Sequence, residues 1–209
     1  MSNLLIVESD NDKYFIEALI KNLNQNIEID TPICSIDDYE CLGGIGKLEH
    51  KLNELRGRVA KEDIRTIGVI FDADQKGVIE QTNLIQEKID KTFTKTPIVD
   101  FKIYIMHIDG KGELETVLKE IKSKESTIAD CLESWQDCLS DDKKITKKEF
   151  DKFWVQIYQR YDCCSKKEKK QAGKKCNNKI SFSKDIYNLD SPILKDLKSF
   201  IQDIGEPNE

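Results

Sequence analysis

The sequence has no long hydrophobic run. Its longest apolar stretches, such as Leu4–Val7 and Val69–Phe71, fall far short of the roughly 18 residues that a membrane-spanning helix needs. No basic flank precedes the first of them, since Met1-Ser2-Asn3 leads straight into Leu4, and this argues against a signal peptide. Histidine is scarce: only His50 and His107 occur, both far in sequence from every cysteine. There is no CxxC pair among the seven cysteines, which stand at 34, 41, 131, 138, 163, 164 and 176. An odd count without framework spacing predicts small buried or surface thiols in a reducing, cytoplasmic setting. A zinc site from Cys163, Cys164 and Cys176 would lack the usual ligand spacing. No internal repeat is visible, and no Walker motif, helicase segment or topoisomerase tyrosine context is present. An ATP-driven activity would therefore need an ATPase or other protein partner from another subunit.

What is there is a polar, orderly chain. Its 209 residues are 38% hydrophobic and 34% charged, enough for one good-sized domain or one core with a helical appendage. The net charge of −6 is unevenly spread, because residues 141–184 hold fourteen Lys and Arg against six Asp and Glu. Within that segment Lys166, Lys167, Lys169, Lys170, Lys174 and Lys175 form a basic run that would meet the phosphates of a nucleic acid; otherwise it is a solvated loop.

The apolar pattern alternates between two periods. Asn3–Val7 reads as a short buried strand, and Phe15, Ile16, Leu19, Ile20 and Leu23 then recur at helical spacing behind a polar, cap-forming cluster. Residues 27–36 hold one or two weak strand segments around Pro32. Gly43-Gly44 breaks the chain ahead of a helix face made by Ile45, Leu48, Leu52, Leu55 and Val59. Thr66–Phe71 is a second buried strand, followed by a helix with Val78, Ile85 and Ile89 inside. Lys102–His107 is a further strand, and Leu114, Val117, Leu118 and Ile121 a further helix. Repeated strand–helix alternation predicts an α/β fold with a four-stranded, mainly parallel sheet flanked by helices over residues 1–124. Residues 125–209 read as a helical C-terminal extension packed on it, its aromatic stripes (Trp135; Phe150, Phe153, Trp154, Tyr161) belonging to the core rather than to a base-stacking platform. Residues 162–184 read as a long loop and Gly205–Glu209 as a frayed tail.

Three acidic clusters fall after predicted strands: Glu8 with Asp10 and Asp12, Asp72 with Asp74, and Asp109 with Glu113 and Glu115. In open α/β sheets that edge is where sites are built. Converging carboxylates repel one another unless a cation lies between them. Hard oxygen donors without nearby Cys or His favour Mg²⁺ or Mn²⁺ over zinc. At a strand end the alternating pleat sends both side chains of Asp72-Ala73-Asp74 the same way, so the two aspartates can share one ion. The bland alternative is a solvated edge of helix caps. A receiver domain would begin similarly but wants Met-Pro soon after the acceptor. A haloacid-dehalogenase-like phosphatase would want Thr or Val where Lys76 stands.

Leu4-Leu5-Ile6-Val7-Glu8-Ser9-Asp10-Asn11-Asp12 resembles the first motif of TOPRIM domains, an apolar strand followed by Glu-Gly-x-x-Asp. Val69-Ile70-Phe71-Asp72-Ala73-Asp74 resembles their second motif. Gly43-Gly44 and Gly112-Glu113-Leu114-Glu115-Thr116-Val117-Leu118 are similar to segments of a TOPRIM-like family of uncharacterised proteins, itself related to the nuclease domains of overcoming-lysogenisation-defect type proteins. The resemblance implies a TOPRIM-like sheet and a divalent-metal-dependent nuclease. It implies Glu8 as general base or ligand, and Asp72, Asp74 and Glu115 as ligands of a two-metal centre. Asp12, and beside it Asp10, would cap the first helix and orient Glu8, while Lys76 or Lys111 would stabilise phosphorane charge. The other class of function is a non-catalytic module that binds nucleic acid or protein. Ser9 replaces the motif glycine. If that glycine serves a positive φ or a close phosphate approach, the serine costs on the order of 1 kcal/mol or crowds the site.

Overall fold

The computed structural model describes residues 2–34, 44–94 and 99–205. The chain is α/β. Four strands, β1 (Ser2–Val7), β2 (Glu28–Ile29), β3 (Ile64–Asp72) and β4 (Asp100–Met106), form one all-parallel sheet in the order β2-β1-β3-β4. Between them run α1 (Asp10–Asn22), α2 (Gly44–Glu62) and α3 (Val78–Phe93). After β4 come α4 (Leu114–Glu120), α5 (Thr127–Asp137), α6 (Lys147–Ile157), three short helices α7 (Lys166–Lys169), α8 (Ala172–Lys175) and α9 (Asn178–Phe182), and finally α10 (Lys195–Gly205).

The strands are apolar on both faces because both faces are covered, as a parallel sheet requires. Leu4 and Ile6 of β1 join Ile67, Val69 and Phe71 of β3 under α2 and α3. Leu5 and Val7 face the other way, into a cluster that includes Phe15, Ile16 and Leu19 of α1, Val117 and Leu118 of α4, Trp154 of α6 and Ile201 and Ile204 of α10. This second cluster joins the sheet to the C-terminal helices. Gly68 makes the approach of α10 close: a Cβ there would stand 2.2 Å from Ile204 Cδ1 and 2.5 Å from Leu5 Cδ2.

Several sequence expectations need correction. Residues 162–184 are not one long loop, for α7, α8 and α9 lie within them, α7 opened by a Ser165–Glu168 capping box and α9 by Asn177. Cys164 and Cys176 are disulfide-bonded, as is Cys34, so these three are not free thiols and the Cys163/Cys164/Cys176 zinc reading falls. The aromatic stripe is only partly core. Trp154 and Tyr158 are fully buried, whereas Trp135, Phe153 and Tyr161 are exposed. Trp135 and Phe153 pair edge-on, centroids 5.9 Å apart, each covering the other where α5 and α6 have no further layer over them. Gly43 and the tail 206–209 lie outside the described residues. Among the described residues no helix is long and apolar enough to cross a membrane.

Candidate active site

β1 and β3 are parallel neighbours with Val7 beside Ile70, so Glu8 and Asp72 emerge together at the carboxyl edge of the sheet. The chain then turns into α1 at Ser9, whose hydroxyl accepts the Asp12 amide while Asp12 Oδ2 accepts both the Ser9 amide, at 2.8 Å, and the Ser9 hydroxyl, at 2.7 Å. Ser9 has φ −129°, ordinary extended backbone, so this position does not demand glycine and the serine is unstrained. It serves as a working N-cap for α1.

After β3 the pleat ends. Asp74 has φ +49°, a left-handed conformation that Asp tolerates better than most residues. The Asp-x-Asp therefore does not present two side chains by pleat alternation, contrary to the sequence expectation. Instead the Asp74 and Gly112 backbones exchange hydrogen bonds of 2.8 and 3.1 Å, tying the loop after β3 to the loop after β4. Asp72 is half-buried and its Oδ1 accepts the Leu114 amide at 3.1 Å, which fixes the start of α4 beside it. The same turn of α4 supplies Glu113 and Glu115.

Glu8, Asp12, Asp72, Asp74, Glu113 and Glu115 thus line one cavity of about 720 Å³. Their charges work against one another. Burial, then Asp12 and Asp74, pushes Glu8 up to about 7. Burial, then Glu113 and Asp12 against the opposing pull of Lys152, carries Glu115 to about 7. Asp72 is raised well above the usual carboxylate range by burial and by Asp12, Glu8, Glu115 and Glu113, and Asp12 and Glu113 are raised chiefly by burial. Such a set is held charged only at a cost and is suited to receiving a cation.

A cation from the chain itself already reaches in. Lys148 of α6 stands 2.5 Å from Asp74 Oδ1 and 3.2 Å from Glu113 Oε2, and Lys152, one turn on, is 3.8 Å from Glu113. Burial disfavours the Lys148 charge, but the bond to Asp74 and the charge of Glu113 outweigh it and raise its pKa. Buried Asp151 anchors α6 for this task by bonding Thr116 at 3.0 Å and Lys119 at 2.8 Å, both on α4.

Of the residues expected from sequence, Glu8, Asp12, Asp72, Asp74, Glu115 and Lys76 line the cavity, while Asp10, Asp109 and Lys111 do not. Nor do Lys166, Lys167, Lys169, Lys170, Lys174 and Lys175. Within that run Lys169 lies over the Tyr161 ring, with its ammonium 5.1 Å from the centroid. Residues 2–206 match the family described as protein of unknown function (DUF3226). The chain belongs to that family. No match was found among curated proteins or solved structures.

Sequence reasoning missed Lys148 and Lys152, which read as solvent positions of an amphipathic helix; their spacing of four, placing both on one face, was the available signal. It also left Glu113 without a role and passed over Gln81, whose side-chain amide donates to the Asp72 carbonyl at 3.1 Å while its Oε1 is buried with no donor among the described residues. The donor set of the cavity is all oxygen, which suits Mg²⁺ or Mn²⁺. As the side chains are placed, however, no group of three or more His, Cys, Asp or Glu among the described residues is arranged to hold a metal ion.

Proposed function

We propose that the cavity at the carboxyl edge of the sheet is the active centre of a divalent-metal-dependent phosphodiester-acting enzyme, a nuclease working on nucleic acid. The observation that carries this reading is the gathering of six acidic side chains from three separate chain segments around one cavity, with Glu8, Asp72 and Glu115 all raised in pKa. Capping hydrogen bonds account for Asp12 and for one oxygen of Asp72, which accepts the Leu114 amide, but not for the convergence of Glu8, Asp74 and Glu115 on the same cavity, so a solvated edge of caps is a poorer account. The likeness of Leu4–Asp12 and Val69–Asp74 to TOPRIM motifs points the same way.

In this reading Glu8, Asp72, Asp74 and Glu115 hold Mg²⁺ or Mn²⁺. When bound there, the ion would supply Lewis-acid charge stabilisation to a phosphoryl group. The chain contributes the rest. Glu8, at the end of β1 and facing the same cavity, would act either as a ligand or, where it does not bind the ion, as the general base. Asp12 is bound to Ser9 on both its amide and its hydroxyl and fixes the turn that carries Glu8. Lys76, Lys148 and Lys152 put positive charge on the cavity wall, where a phosphate backbone would approach an otherwise acidic surface. Binding an ion requires Lys148 to leave Asp74 and the carboxylates to draw together.

A second reading is favoured by that same pair: a non-catalytic module in which Lys148 permanently neutralises the cluster and the surface binds nucleic acid or a protein. Incubating plasmid and single-stranded DNA and RNA with the protein in Mg²⁺ and in Mn²⁺ separates the two. The nuclease reading predicts cleavage of at least one substrate, chelator-sensitive and reduced about a hundredfold or more by Asp72→Asn, a loss typical of a removed charge-stabilising group. Because Asp72→Asn relieves repulsion, its melting temperature should not fall. Absence of cleavage with every substrate and both ions gives the binding module.

A further inference from the structure

Lys148 stands where a cation belongs. Its ammonium bridges two carboxylates that come from different elements, Asp74 from the loop after β3 and Glu113 from the start of α4. A divalent ion drawn to Asp74 would meet this ammonium at a few ångströms, and like charges so close in a partly buried site repel strongly. The two cannot share the position. Yet the lysine is a poor permanent plug. Its side chain is 45% exposed and its arm is four flexible carbons, while Gln81 at the cavity wall has a buried Oε1 with no donor among the described residues. The base of the arm, by contrast, is fixed, because Asp151, three residues on in α6, is held by Thr116 and Lys119. The ammonium can therefore swing outward while its helix stays in place.

We propose that Lys148 is a built-in counter-cation that excludes the divalent ion until a nucleic-acid phosphate draws it off Asp74 and Glu113, so that ion and polyanion bind cooperatively through this one side chain. The inference rests on the metal and nucleic-acid reading above and adds to it a regulation: the acidic centre stays closed to metal while no substrate is present. Coupling of this kind is reciprocal, so the ion must tighten nucleic-acid binding by the same factor.

Mn²⁺ binding measured by calorimetry, with and without a cleavage-resistant phosphorothioate oligonucleotide, tests it. In the wild type the oligonucleotide should strengthen Mn²⁺ binding about tenfold, within the usual span of coupling between two sites. Lys148→Met should bind Mn²⁺ more tightly than wild type when alone and lose most of the coupling. Lys148→Arg, which keeps the charge, should retain it, and melting curves establish that each variant is folded. Wild-type coupling that survives Lys148→Met, or Mn²⁺ binding that the variant leaves unchanged, would overturn the proposal while leaving the metal centre intact. If Mn²⁺ binds neither wild type nor variant, the metal reading itself fails and takes this inference with it.

Discussion

The raised acids of the cavity predict that the ion-free protein loses stability as the pH rises from 5 to 8. Glu8 and Glu115 move from 4.5 to about 7 on folding. An acid raised in the folded state binds its proton more tightly there than in the unfolded chain. Its contribution is therefore intact below about 4.5 and is lost as the pH climbs through about 7. At 1.36 kcal/mol per pK unit, and allowing for partial solvent access, each group gives roughly 2–3 kcal/mol. The two share neighbours, so the pair should yield about 3–5 kcal/mol rather than the full sum. For a chain of this size that corresponds to a fall in melting temperature on the order of 10 °C. The assay is thermal and urea unfolding between pH 5 and 8, in chelator and again in millimolar Mg²⁺. The ion binds the folded form and favours the ionised carboxylates, so Mg²⁺ should flatten the profile and raise stability most at pH 8. Glu115→Gln should remove about half of the slope in chelator. A profile in chelator that is flat from pH 5 to 8 would refute the electrostatic account of the cluster. An equal slope with and without Mg²⁺ would refute its role in holding the ion.

Other perturbations give readouts of their own. Gly68→Ala forces a Cβ onto Ile204 and Leu5 and should cost about 1–3 kcal/mol in urea denaturation by overpacking; an unchanged midpoint would mean that α10 does not press on the sheet there. Ser9→Gly removes the cap hydroxyl and should cost only a few tenths of a kcal/mol, and because Ser9 is not strained it should leave turnover within about twofold; a large gain in rate would show that the serine crowds a phosphate. Neutralising Lys166, Lys167, Lys169 and Lys170 together should weaken nucleic-acid binding modestly and flatten its salt dependence without moving the cleavage rate at saturation, since none of them lines the cavity; a loss of saturated rate would contradict that placement.

Much of the fold was legible because the strands are apolar on both faces and the helices on one. Leu4–Val7 and Thr66–Phe71 could be read directly as buried parallel strands, and Leu48, Leu52 and Leu55 fall on the buried face their spacing implied. The two-residue β2 was harder, since Glu28–Ile29 pairs with Leu4 and Leu5 for too short a distance to impose a pattern. Residues 162–184 misled because single-turn helices bury too little to leave a periodicity, and the Cys164–Cys176 bond does there what an apolar stripe does elsewhere. At the site, the strand-end positions of Glu8 and Asp72 followed from the parallel topology. Asp74 did not follow the pleat, because its backbone turns left-handed to meet Gly112. Lys148 and Lys152 carry no local signal, because they face Asp74 and Glu113 across 35 to 74 residues of chain, and the Gln81 contact with the Asp72 carbonyl depends on how α3 packs back against the end of β3.

In the proposed function, the cluster around Asp72 binds divalent cations in place of Lys148. Anomalous diffraction from crystals grown or soaked in Mn²⁺ addresses it without reference to substrate or rate. A Mn²⁺ peak is expected among Glu8, Asp72, Asp74 and Glu115, with the Lys148 ammonium displaced from Asp74. A map with no anomalous peak at these carboxylates, and with Lys148 still paired to Asp74 in saturating Mn²⁺, would contradict it.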